Sequence, residues 1–91
     1  MVVFDDASLA ATLPLLTAGV TTFAGQFCMA GSRILVQRGI ADQVRKHLAE
    51  RLTHVVVGPG EDKSSQMGPL IDNAAVARVD RIVEDSTATP R

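Results

Sequence analysis

Two short β-prone runs with an amphipathic helix between them limit the folds open to this chain. The runs are Ile34-Leu35-Val36 and Val55-Val56-Val57. Between them Ile40, Val44, Leu48 and Leu52 recur every fourth residue, the repeat of one helix face. The pattern predicts strands at both runs and a helix over Ala41 to Thr53. Upstream, Leu9, Leu13, Leu16 and Val20 form a second apolar stripe. Asp5 and Asp6 are expected to cap that helix, and Pro14 to kink or restart it. Residues 19–31 are rich in Gly, Thr and small side chains and read as a helix end followed by an exposed turn region. Downstream, Gly58-Pro59-Gly60 through Gly68-Pro69 reads as a loop. Asp72 should cap a third helix with Val76, Val79, Ile82 and Val83 on its inner face. Ser86 to Arg91 leave the pattern and should fray.

Strand, helix and strand in that order point to an α/β fold with crossover connections. Two or three short strands make a poor sheet alone, because parallel strands need both faces covered. The 91 residues therefore read as a single partial domain, about three helices and two or three short strands. No repeat, low-complexity segment or second domain is discernible.

Composition narrows the function classes. Nine basic and ten acidic residues leave a net charge of −1, which gives no electrostatic basis for nucleic-acid or anionic-membrane binding. Three Phe, with no Trp or Tyr, make a base-stacking platform unexpected. The N-terminus does not read as a signal peptide, and no apolar run is long enough for a membrane span. One cysteine can form neither an internal disulfide nor a structural zinc site, and it fits a reducing cytoplasm. His47 and His54 lack the spacing of a helical zinc site and read as surface or helix-end residues. Gly60-Glu61-Asp62-Lys63-Ser64 lacks the spacing of a P-loop.

That cysteine, Cys28, lies in Gly25-Gln26-Phe27-Cys28-Met29-Ala30-Gly31-Ser32-Arg33. Small residues on both sides permit close approach of a ligand. A thiolate is a strong nucleophile, but a free thiol needs a positive neighbour or a helix N-terminus to ionise at neutral pH. Arg33 is near in sequence. On composition alone, an unpaired cysteine is most simply a small buried hydrophobe.

Five blocks change that reading. They are Phe4-Asp5-Asp6-Ala7, Gly25-Gln26-Phe27-Cys28, Ser32-Arg33-Ile34-Leu35-Val36, Val57-Gly58 and Met67-Gly68-Pro69-Leu70-Ile71. In this order and spacing the chain resembles the aldehyde dehydrogenase superfamily from about Val2 to Val83. The resemblance implies a partial Rossmann-like catalytic domain and NAD(P)-dependent oxidation of a small-molecule aldehyde to a carboxylic acid. It makes Cys28 the nucleophile, forming a thiohemiacetal and then a thioester, and makes the Cys28 backbone N–H one oxyanion donor. The family's second oxyanion donor, its general-base Glu and its Gly-rich nucleotide-binding portion would lie outside these residues. The NAD or NADP ribose would meet Arg78, for which a solvated helix-face arginine is the alternative. Two positions depart from the family pattern. Phe23 stands where Asn is usual, which bears on the turn geometry, and Ala75 stands where many members have Gln. A second reading is a non-catalytic fragment that folds as a small module. In either case the open apolar faces lead us to expect a homo-oligomer.

Overall fold

The computed structural model describes residues 1–88. Its sheet is a parallel pair, β1 (Val2–Val3) and β2 (Leu35–Val36), in the register Val2 to Leu35 and Val3 to Val36. Helix α1 (Leu9–Thr21) lies between them in sequence. This strand–helix–strand unit bears out the α/β class, but it is built from β1, α1 and β2 and not from the two expected strands flanking the helix over 41–53. Leu35 and Gln37 donate their N–H groups to the Met1 and Val3 carbonyls, each at 2.9 Å. A side-chain clasp extends the pair. Gln37 Nε2 donates to Asp5 Oδ2 at 2.6 Å, and the Asp5 N–H donates to Gln37 Oε1 at 3.1 Å.

That clasp corrects the expected helix cap. Asp5 is engaged with Gln37, and Ser8 occupies the cap position of α1 without a side-chain cap bond. The Ser8 carbonyl accepts from the N–H groups of both Ala11 and Thr12, at 3.1 and 2.9 Å, and so closes the first turn. The helix then runs through Pro14 without restarting. Both Pro14 and Ala10 face solvent, so water can satisfy the carbonyl that the proline leaves without a donor.

Helix α2 (Ala41–Thr53) has the predicted bounds. Its stripe packs on α1 and the sheet. Val3, Leu16 and Val44 form the buried cluster, with Ala7, Leu9, Ile34, Val36, Ile40 and Leu48 around it. The helix is favoured locally by Asp42 in its first turn, which also pairs with Arg45 at 3.0 Å.

Three further expectations need correction. Val2–Val3 is a strand that was not predicted. Val55-Val56-Val57 is not one; it makes a single parallel bridge, between Val57 and Met67, because among the described residues no second strand lies beside it. Helix α3 (Asn73–Ala88) is capped as expected, with Asp72 Oδ1 accepting from the Ala75 N–H at 2.7 Å. It extends through Ser86 to Ala88 instead of fraying there; the rest of the predicted frayed segment, 89–91, lies outside the described residues. Its apolar face is not buried: Val76, Val79, Ile82 and Val83 are 41–59% exposed.

The loop before α3 is locally ordered. Asp62 Oδ1 accepts from both the N–H and the hydroxyl of Ser64, at 2.8 and 2.7 Å. The backbone donor, then the hydroxyl, hold the Asp62 carboxyl below its ordinary value. The stabilisation of this turn is therefore present above the ordinary Asp range and is lost as pH falls through the lowered folded-state value. We expect Ser64→Ala to raise the Asp62 midpoint towards that of a free aspartate. Carboxyl NMR titration would measure it, and an unmoved midpoint would show that the hydroxyl contributes nothing.

Candidate active site

Helix α1 ends in a run of threonines whose hydroxyls fold back on its last carbonyls. Thr17 donates to Leu13, Thr21 to Thr17 and Thr22 to Ala18, at 2.6–2.9 Å. These are back-bonds to carbonyls four residues earlier, shared with the helix's own backbone donors. The chain then reverses hand. Phe23, Ala24 and Gly25 have φ of 51°, 55° and 73°. Glycine takes this conformation freely, but each L-residue in it costs on the order of 1–2 kcal/mol. The Gln26 N–H donates to the Phe23 carbonyl at 3.0 Å and closes the turn. Phe23 thus adopts a left-handed backbone that the family's usual Asn would take more readily.

Cys28 follows directly. It is exposed, at the second position of a turn that the Ala30 N–H closes on the Phe27 carbonyl at 2.9 Å. Among the described residues, neither its thiol nor its backbone N–H has a hydrogen-bond partner. The buried-hydrophobe reading of the lone cysteine is therefore not the one observed. The far side of the turn is anchored by Gly31, whose N–H donates to the Gly19 carbonyl at 2.9 Å. Met1 fills the space between these two glycines, and a Cβ on Gly19 would stand 2.8 Å from its Sδ. A Cβ on Gly31 would also collide with the Met1 side chain. The N-terminal ammonium meanwhile donates to the Arg33 carbonyl at 2.8 Å.

The structure does not gather the other candidates around the thiol. Arg33 and Arg78 are exposed, and neither makes a hydrogen bond or ion pair with Cys28. No group of three His, Cys, Asp or Glu side chains able to hold a metal exists among the described residues. A cleft of about 500 Å³ lies elsewhere, between α1, α2 and the following loop. It is lined by Leu13, Thr17, His47, Glu50, Arg51, His54, Val55 and Gln66. His54 ends α2, with Nδ1 2.7 Å from the Glu50 carbonyl, while the His47 ring is half-buried with Nδ1 3.9 Å from Glu50 Oε2. No residue of the Cys28 turn lines that cleft.

The aldehyde dehydrogenase family profile matches residues 1–89. The chain belongs to the aldehyde dehydrogenase family. It is similar to the mitochondrial succinate-semialdehyde dehydrogenase of Oryza sativa subsp. japonica, at 34% identity over 87 residues, 96% of this chain and 16% of that protein. It is similar to a betaine aldehyde dehydrogenase of Cereibacter sphaeroides, at 36% identity over 88 residues, 97% of this chain and 18% of that protein. Its fold matches the crystal structure of betaine aldehyde dehydrogenase from Staphylococcus aureus in complex with NAD+, with a TM-score of 0.88 and 33% identity, covering 96% of this chain and 17% of that one. In another of those structures a cysteine is BME-modified. The chain thus spans 16–18% of the length of these curated relatives.

Membership implies a nicotinamide dinucleotide, and the described residues do not fit one by themselves. The strand-to-helix connection from β1 to α1 is Phe4-Asp5-Asp6-Ala7-Ser8. A pyrophosphate cradle needs glycines and free N–H groups at a helix start. Here there is no glycine, two carboxylates stand in the connection, and the Asp5 N–H is already given to Gln37. Arg78 is exposed on α3, and one cation does not hold a dinucleotide.

Proposed function

We propose that this chain carries the nucleophile of an NAD(P)-dependent oxidation of a small aldehyde to a carboxylic acid, and that Cys28 is that nucleophile. One observation supports this above the rest: the thiol and the N–H of the same residue both stand unpartnered on an exposed, doubly anchored turn. In the first step the thiolate Sγ attacks the carbonyl carbon, and the C=O π electrons move to oxygen. The oxyanion accepts a hydrogen bond from the Cys28 N–H, and its protonation gives the thiohemiacetal. Arg78 is our candidate for a cofactor ribose contact. We place the chain in a reducing compartment, the cytoplasm, since an exposed unpaired thiol persists there. The 91 residues are one partial domain on this reading.

The test isolates the first step from the cofactor. p-Nitrophenyl acetate is added to the chain. The Sγ–C bond forms, the bond to p-nitrophenolate breaks, and the thiol proton passes to solvent. We expect one equivalent of p-nitrophenolate released per chain and one acetyl group retained on Cys28, located by peptide mass spectrometry. Acetylation spread over the surface lysines, with Cys28 untouched, would sink the assignment.

A second reading is favoured by the bare face of α3 and by the open edges of a two-stranded sheet: a non-catalytic module that self-associates. Val2, Leu35 and Phe4, each 61% exposed, extend that surface. We expect a homodimer or larger species by sedimentation at tens of micromolar, and Val79→Glu with Ile82→Glu to shift it to monomer. A monomer in the unmodified chain at these concentrations would remove the self-association.

A further inference from the structure

Phe23 and Ala24 adopt a backbone that favours glycine, and the turn's own hydrogen bond, from Gln26, does not explain why. What distinguishes the turn is a ring contact. Phe23 is 71% exposed, yet its ring meets that of Phe27 with centroids 5.6 Å apart and planes tilted by 59°. The separation lies in the preferred range for aromatic pairs, and the tilt is intermediate between stacked and edge-to-face. The pair connects the left-handed turn to the residue immediately before Cys28. On the other side, the bonds to Phe27 and Gly19 hold Ala30 and Gly31.

We propose that the Phe23–Phe27 ring pair is a positioning device for Cys28: it holds Phe23 in the left-handed turn and thereby fixes the direction of the Cys28 N–H and thiol. The proposal rests on the reading of Cys28 as the nucleophile. Phe23 touches no reacting atom; it acts through the backbone between residues 23 and 28. A mere surface aromatic would leave the chemistry of Cys28 unchanged when truncated.

The experiment compares two reactions of the same thiol. Alkylation by iodoacetamide is a direct displacement that needs no oxyanion donor. Acetylation by p-nitrophenyl acetate passes through a tetrahedral oxyanion and does need one. Phe23→Ala is expected to lower the acetylation rate about tenfold, because a misdirected backbone donor forfeits part of the stabilisation, and to leave alkylation within about twofold. Phe23→Tyr keeps the ring and should keep both rates. Phe23→Asn, which tolerates left-handed backbone unaided, should recover acetylation without a ring. Phe23→Ala with Phe27→Ala together should be no worse than the more damaging single change, since either breaks the same contact. Circular dichroism of each variant confirms that the helices remain.

An unchanged ratio of acetylation to alkylation in Phe23→Ala overturns the proposal, and so does failure of Phe23→Asn to recover it. If the unmodified chain never acetylates at Cys28, the nucleophile reading fails separately. The ring pair is then judged by the φ-dependent coupling constant at residue 23 and the amide shift of Cys28. Phe23→Ala must move both and Phe23→Tyr neither; any other result removes the positioning role.

Discussion

Replacing Cys28 with alanine is expected to abolish acetyl transfer from p-nitrophenyl acetate, a fall of roughly three orders of magnitude or more in the rate at this position. The chain has no second thiol to take over. Cys28→Ser should fall almost as far. A serine hydroxyl needs an adjacent base to become nucleophilic, and no described residue is hydrogen-bonded to position 28. Because the Cys28 side chain is exposed on a turn, neither change should disturb the fold, and identical circular dichroism would show it. The rate of p-nitrophenolate release, corrected for lysine labelling, is the measurement. An alanine variant that releases p-nitrophenolate as fast as the parent would end the case for Cys28.

The second large effect concerns stability. Leu16→Ala is expected to destabilise the fold by about 2–5 kcal/mol, through lost burial and the cavity left behind. Leu16 is 3% exposed and sits with Val3 and Val44 in the only buried cluster among the described residues. Domains of this size have little stability to spare, so the variant should be largely unfolded at room temperature. Leu16→Met conserves volume and should cost less than about 1.5 kcal/mol. Leu15→Ala is the neighbouring control: Leu15 is 70% exposed, and changes at such positions stay within about 0.5 kcal/mol. Urea unfolding followed by circular dichroism separates the three. Equal midpoints for Leu15→Ala and Leu16→Ala would mean that α1 does not pack as described.

Helix α2 was the most legible element, because Ile40, Val44 and Leu48 repeat on one face and that face finds a partner. The Asp72 cap was legible for a local reason: the bond spans three residues and needs nothing else. Val55-Val56-Val57 shows the opposite case. Its β-branched residues favour a strand only when another strand lies alongside, and the described residues provide just one bridge. Val2–Val3 was missed because two residues carry no period. Asp5 was misread because its partner, Gln37, is 32 residues away. The α3 face was read correctly as apolar, but amphipathicity marks a surface that should be covered and does not say by what. At the site, Cys28 stood out through its flanking small residues and the family blocks. The left-handed Phe23 and Ala24 did not, since nothing in an aromatic or an alanine signals positive φ. The glycine pair around Met1 was also illegible, since it depends on a contact between the first residue and two distant ones.

The closure of the sheet has a consequence for the order of events during synthesis. Helix α1 and the turn after it depend on contacts between near neighbours and can form in microseconds. The pieces that lock them arrive later. Leu35 and Gln37 must emerge before β1 has anything to pair with, and Val44 must emerge before Val3 and Leu16 can be covered. Closing so long a loop also carries an entropic cost that only the completed core offsets. On the ribosome, Cys28 is therefore exposed on a half-built scaffold for as long as the next fifteen or so residues take to appear, roughly a second or more. An oxidant or electrophile present in that interval meets a thiol whose surroundings are not yet set.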